Sequence, residues 1–317
     1  MKFTTLLSLS AASLTDAHYT FSDLVVNDQQ VGTAWQYIRE HTRGYMPTKG
    51  TDILTNDFRC NQGASSGANT DVYAVKPGDK VALKQAFGGT GMKHPGPTQV
   101  YVSKAPNGDV KSYDGSGDWV KVFEGLLCKS GDAKALQTDA WCMWGEDRIE
   151  FTMPDTLPAG EYLVRAEHIA IHGAHDGQAE FYYACAQVEL DGTTAASVPE
   201  PTVQIPGVYQ VDDAPINFSV WGTSTTYPEI PGPDVVAGGQ VRGSTDGTDT
   251  TIKTVTVENA GLLSPSPSPS PSPSPLTDSP YANCLSLNTL YLIGHHTLNK
   301  TRSAQCASRK RARDRVR

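Results

Sequence analysis

Seven short segments rich in β-branched and aromatic residues constrain this chain most. They are KVALKQAF (80–87), TQVYVSK (98–104), WVKVFE (119–124), DRIEFTM (147–153), EYLVRAEHIAIH (161–172), EFYYACAQVEL (180–190) and INFSVW (216–221). Turn clusters such as KPGD and LPAG stand between them. Runs of this kind form strands, because a pleated surface accommodates branched and aromatic side chains well. No long amphipathic helix is evident, so the strands must bury their faces against one another. The pattern predicts an all-β fold, a β-sandwich.

Composition divides the chain. Residues 1–17 read as a secretory signal, with Lys2, an apolar and small-residue run from Phe3 to Leu14, and Thr15-Asp16-Ala17 at the cleavage point. The chain is therefore expected to be secreted and extracellular, with His18 as its first residue. Residues 18–235 read as one globular unit, and residues 236–275 as a linker, first Gly- and Thr-rich, then the alternating tract SPSPSPSPSPSP. Proline fixes φ and donates no hydrogen bond, so that tract is an extended spacer. Residues 276–317 form a basic tail, read as disordered. Secretion makes disulfides the expected state of the cysteines.

Net charge is -8 overall, but the tail carries +6 and leaves -14 for residues 1–275. An acidic body disfavours nucleic acid and anionic membrane as partners, and no apolar run of 18 residues spans a bilayer. A neutral partner suits it better.

Six histidines lie outside the tail. His94 precedes Pro95-Gly96-Pro97 and a strand, so its backbone is extended and rigid. An ordinary loop histidine would have the same surroundings. In EHIAIHGAHDGQAEFYYAC, His168 and His172 share a face if the strand is ideal, and Glu180 and Tyr182 share a face opposite Phe181, Tyr183 and Cys185. The residues alone fit either a reactive site or a structural polar network at a sheet edge.

Together HYTF at the expected mature N-terminus, HPGPTQVYVSK, EYLVRAEHIAIH, EFYYACAQ and YPEIPGP resemble the fungal lytic polysaccharide monooxygenases of auxiliary activity family 9. The resemblance spans roughly residues 18–235. It implies an immunoglobulin/fibronectin-like antiparallel sandwich with long loops and a flat metal-bearing face. It also implies one copper ion, cycling between Cu(II) and Cu(I), held by the amine and ring of His18, the ring of His94 and, axially, Tyr182. His172 and Glu180 fall at the O2-binding positions, which with Tyr182 makes three catalytic candidates. Tyr227 matches a surface tyrosine that binds substrate, with Tyr19 a further candidate. The implied reaction is oxidative cleavage of β-1,4-glucan in cellulose, at C1 and/or C4, by a monomer using an external electron donor and O2 or H2O2.

The resemblance also pairs Cys60 with Cys185 and, with that pair set aside, Cys128 with Cys142. Asn217 opens an N-glycosylation sequon inside a predicted strand. Glu180 departs from the family, which usually has glutamine there; a carboxylate accepts hydrogen bonds but donates none unless protonated. The tail matches no cellulose-binding module. Two rival classes stand beside this reading: a glycoside hydrolase using Glu167 and Glu180, and a non-catalytic carbohydrate- or copper-binding protein.

Overall fold

The computed structural model describes residues 18–86 and 89–257; the signal, the Ser-Pro tract and the basic tail lie outside the described residues. Two sheets pack face to face. In the smaller, β2 (Gln29–Val31), β1 (Phe21–Val26), β4 (Lys80–Gln85) and β7 (Arg148–Thr152) are neighbours in that order. The larger runs β11 (Ile252–Thr254), β10 (Gln240–Arg242), β6 (Val120–Gly125), β5 (Thr98–Lys104), β8 (Gly160–Ala170), β9 (Glu180–Leu190) and β3 (Tyr73–Val75). Pairing is antiparallel except where the short strands β3 and β10 join β9 and β6 in parallel. The expected all-β sandwich is the fold.

Alternation along β9 explains how both faces of the larger sheet are buried. Tyr182, Ala184, Ala186 and Val188 enter the core between the sheets with Phe21, Leu83, Val100 and Phe151. Phe181, Tyr183 and Cys185 point the other way, into a second core that long loops cover with Phe58, Trp119, Tyr209 and Tyr227. A sheet faced by side chains on both sides reads as a nearly continuous apolar run, which is what EFYYACAQVEL is. Both disulfides join the expected partners, Cys60–Cys185 and Cys128–Cys142.

Two expectations need correction. INFSVW is a loop rather than a strand: Ile216 and Val220 are buried in the second core, but the backbone turns, with the Ile216 N–H bonded to the Asp213 carbonyl at 2.9 Å. Asn217 consequently sits exposed on that loop. The folded unit also runs past residue 235. The Val236 N–H bonds the Lys121 carbonyl at 2.9 Å, β10 extends the larger sheet and β11 pairs with β10, so residues 236–257 belong to the domain rather than to a linker.

Candidate metal centre

Antiparallel register sets the base of the site. Along β8 and β9, His168 stands opposite Tyr182 and Ala170 opposite Glu180. On the other side of β8, Thr98 of β5 stands opposite His168, which brings the strap His94–Pro97 alongside the end of β8. The Ile169 and Ile171 N–H groups donate to the Pro97 and Pro95 carbonyls at 3.0 and 2.9 Å. Only glycine permits this approach at residue 96: a Cβ there would lie 1.8 Å from the Ile169 carbonyl oxygen.

Tyr19 anchors the other contributing segment. Its ring stacks on Tyr182 with centroids 4.3 Å apart, and its hydroxyl bonds Nδ1 of the buried His168. The His168 ring also bonds the Gly96 backbone. A neutral imidazole offers one donor and one acceptor, so it can serve both segments at once. With Tyr19 buried, His18 emerges exposed directly above it.

Three rings therefore converge. The centroids of His18 and His94 are 6.3 Å apart with planes at 73°, and Tyr182 lies 6.2 Å from the first and 5.8 Å from the second. Two imidazoles bonded to one ion at about 2.0–2.1 Å from opposite sides would have centroids roughly 6 Å apart, so the spacing fits a shared metal. Among the described residues no three His, Cys, Asp or Glu side chains form a metal site. A donor set of two such side chains and an α-amine at residue 18 would not be counted among such groups.

His172 stacks on His94 at 4.5 Å and 20°. Glu180 has both oxygens engaged: Oε2 accepts from the Tyr182 hydroxyl at 2.6 Å, and Oε1 pairs with Lys49 Nζ at 2.6 Å, with His172 Nε2 at 3.8 Å. Burial raises the Glu180 pKa, but hydrogen bonds from Lys49 and Tyr182 outweigh it and hold the group below the usual carboxylate range. The Tyr182 phenol is pushed well up, first by burial and then by the Glu180 bond, so it keeps its proton. Burial lowers His172, leaving it neutral near pH 7.

A family profile, Auxiliary Activity family 9, matches residues 18–227. The chain belongs to auxiliary activity family 9. It is 49% identical over 248 residues to the AA9 family lytic polysaccharide monooxygenase D of Emericella nidulans, covering 75% of this chain and 84% of that one. Against the AA9 family lytic polysaccharide monooxygenase A of Aspergillus fumigatus the identity is 47% over 254 residues, with 77% and 85% covered. Among solved structures, a cellulose-active polysaccharide monooxygenase from M. thermophila aligns with a TM-score of 0.56 and 27% identity, over 70% of this chain and all of that one. The chain is thus an oxidoreductase of the lytic polysaccharide monooxygenase family.

Several sequence expectations change against this monooxygenase site. Tyr227 is only 2% exposed; its ring packs against Trp141 and Phe218 and its hydroxyl donates to the Pro215 carbonyl at 2.9 Å, so it cannot stack on a substrate. Tyr19 is likewise buried and supports the site from beneath. Glu167, the hydrolase candidate, is fully buried against Arg165, away from any substrate. Two residues went unnoticed in the sequence. Trp221 is half exposed, with its indole N–H donating to the His172 carbonyl at 2.7 Å, and Lys49 pairs with Glu180. Trp221 lay inside the segment misread as a strand, and a lone lysine carries no signal.

Acid should destabilise the metal-free protein. Burial, reinforced by Arg43, holds His41 at a pKa of about 4, and burial, reinforced by His94, holds His168 at about 3. Both titrate near 6.5 when unfolded, so between about pH 6.5 and pH 4 the unfolded chain binds more protons and stability falls as pH falls. The melting midpoint of apoprotein should be lower at about pH 4.5 than at about pH 7, with part of the difference removed in His41→Gln. A midpoint unmoved between those conditions would contradict this assignment.

Proposed function

We propose that this secreted protein would hold one copper ion with the amine and ring of His18, the ring of His94 and Tyr182, and that it oxidatively cleaves β-1,4-glucan chains of cellulose at C1, C4 or both. The observation that carries the reading is the convergence of His18, His94 and Tyr182 within about 6 Å of one another. Nitrogen donors in a tetragonal array favour Cu(II), which also leads the divalent affinity series. The α-amine loses its proton from a pKa near 8, so a metal displaces it at modest cost. Copper bound there would supply one-electron exchange with an external donor and activation of O2 or H2O2, enough to remove hydrogen from a sugar carbon.

The protein's own groups supply the rest. Tyr182 directs its proton to Glu180, so its oxygen lone pairs face away from that bond and would be available to a bound metal. His172 presents a half-exposed ring edge beside His94, suited to hydrogen-bonding the oxidant together with Glu180. The site lies open: His18 and Trp221 are exposed. An open face suits an insoluble polymer, whose chains need not be lifted into a cleft. Asn217, exposed on the loop that carries Trp221, is the proposed glycosylation site.

The test is incubation of mature, copper-loaded protein with cellulose and ascorbate, with soluble products identified by mass spectrometry. Aldonic acids or C4-keto sugars are expected from wild type and not from His18→Ala. Ordinary reducing ends alone would favour a hydrolase, and no products at all a binding protein. Trp221, its indole pinned to the backbone at His172, is the aromatic surface for a sugar face. Trp221→Ala is expected to weaken adsorption to cellulose about tenfold, from roughly 1.4 kcal/mol of lost stacking, without changing copper affinity. An unchanged adsorption isotherm would remove Trp221 from the substrate face.

A further inference from the structure

From the structure we infer that Lys49 is a positioning residue of the metal centre, holding the Glu180 carboxylate so that one oxygen faces the lysine and the other accepts the Tyr182 proton. The inference rests on the copper reading above and adds a residue to it. Its geometry is built into the backbone. Thr48 forms an isolated antiparallel bridge with Phe181: the Thr48 N–H donates to the Phe181 carbonyl at 3.0 Å and the Phe181 N–H to the Thr48 carbonyl at 2.9 Å. The Thr48 hydroxyl adds a bond to the Tyr183 hydroxyl at 3.0 Å. Residue 49 is therefore fixed beside residue 180 by contacts that do not involve its own side chain. Its extended backbone (φ -140, ψ 159) ends where Gly50 turns the chain at φ +53.

From that anchor the ammonium reaches Glu180 Oε1 at 2.6 Å, while Tyr182 holds Oε2 at the same distance. The Glu180 side chain is 6% exposed and that of Lys49 36%. A nearly buried carboxylate costs several kcal/mol unless paired. An amide at this position would have no charge to neutralise; the Glu180 carboxylate does, and Lys49 is the cation against it. Arg43, also on this loop, is engaged instead with Asp52 at 3.4 Å. With both oxygens engaged, Glu180 cannot swing as a free anionic ligand towards the nitrogen donors. Released from Lys49, it becomes a hard oxygen donor next to Tyr182 and His172. Lys49 thus holds the Glu180 carboxylate and, through it, the Tyr182 hydroxyl in place.

Five proteins test this: wild type, Lys49→Met, Glu180→Gln, the double variant, and Lys49→Arg as the conservative replacement. Each is examined as apoprotein by thermal melting, and with Cu(II) by electron paramagnetic resonance and by oxidised-product yield. Lys49→Met is expected to lower the apoprotein midpoint, shift the Cu(II) spectrum and cut product yield about 10–100-fold, the usual range for partners of metal ligands. Lys49→Arg should restore the spectrum. In the Glu180→Gln background the same lysine change should have little further effect on midpoint or spectrum. A Lys49→Met spectrum identical to wild type overturns the inference, as does an equal effect in both backgrounds, which would mark a general loop role. If wild type lacks a three-nitrogen copper spectrum, the copper reading fails and takes the role of Lys49 with it. The apoprotein melts would then still show whether the ion pair couples, so the two failures are distinguishable.

Discussion

Keeping a single residue ahead of His18 is expected to abolish tight copper binding. Protein expressed so that Ala17 is retained carries every side chain of the site, yet its His18 nitrogen is an amide instead of an amine. An amide nitrogen has no lone pair to give without losing a proton far less acidic than that of an ammonium group. One of the three proposed nitrogen donors is removed without altering a side chain. His18→Ala removes a different donor, the imidazole, and leaves the amine. Loss of a partner that only supports a metal ligand costs roughly 10–100-fold in affinity, so loss of a ligand should exceed about 100-fold in either variant. Isothermal titration with Cu(II) checks this. Affinity within tenfold of wild type for the Ala17-retaining form would show that the amine is no ligand, and the reason given for cleavage before His18 would fall.

Replacing Arg165 with methionine should produce the largest loss of stability from a single substitution away from the metal centre. The Arg165 guanidinium and Glu167 are both fully buried and pair at 2.5 Å. Arg165 Nε donates to the Arg59 carbonyl at 2.9 Å, and its charge lies 4.7 and 4.3 Å from the ring centres of Phe58 and Tyr183. Glu167 Oε1 accepts from the Tyr209 hydroxyl at 2.7 Å. Burial works against the charge on Arg165, but the Glu167 carboxylate more than offsets it and raises the pKa. Arg165→Met leaves Glu167 charged and unpaired among aromatic rings, at a cost of about 3–5 kcal/mol. For a domain of this size that corresponds to a fall of about 10 °C in the melting midpoint. Arg165→Met with Glu167→Leu should recover much of the loss, because neither charge is then stranded. The oxidation rate per folded molecule at low temperature should be retained, since Arg165 touches none of the metal-centre residues. A midpoint shift below about 3 °C would mean that Glu167 has another partner or takes up a proton at little cost.

How much was legible differed between strands. The six that were found are long or central, and each announces itself by β-branched and aromatic density. β1 was missed although all six of its residues are buried: Ser22 and Asp23 interrupt its apolar pattern, and they are tolerated because Ser22 and Gln30 both donate to the Asp23 carboxylate. The short strands β2, β3, β10 and β11 have three residues each, too few to establish a period. INFSVW misled for the opposite reason, since apolar residues bury equally well from a loop that covers a core.

The sequence by itself determined the fold class and the opposite facing of Tyr182 and Tyr183, while the two histidines and the tyrosine around the proposed metal were pointed to by motifs shared with a family. These follow from local rules: period-two alternation along a strand, the stiffness of a Pro-Gly-Pro strap, and motifs written contiguously in the chain. Only the tertiary structure decided which aromatic is exposed, which carboxylate is stranded in the core, and that Lys49 meets Glu180 across 131 positions of sequence. Those outcomes depend on which distant segments the packed sheets bring together. Burial and long-range pairing are properties of the assembled layers, and no local pattern encodes them.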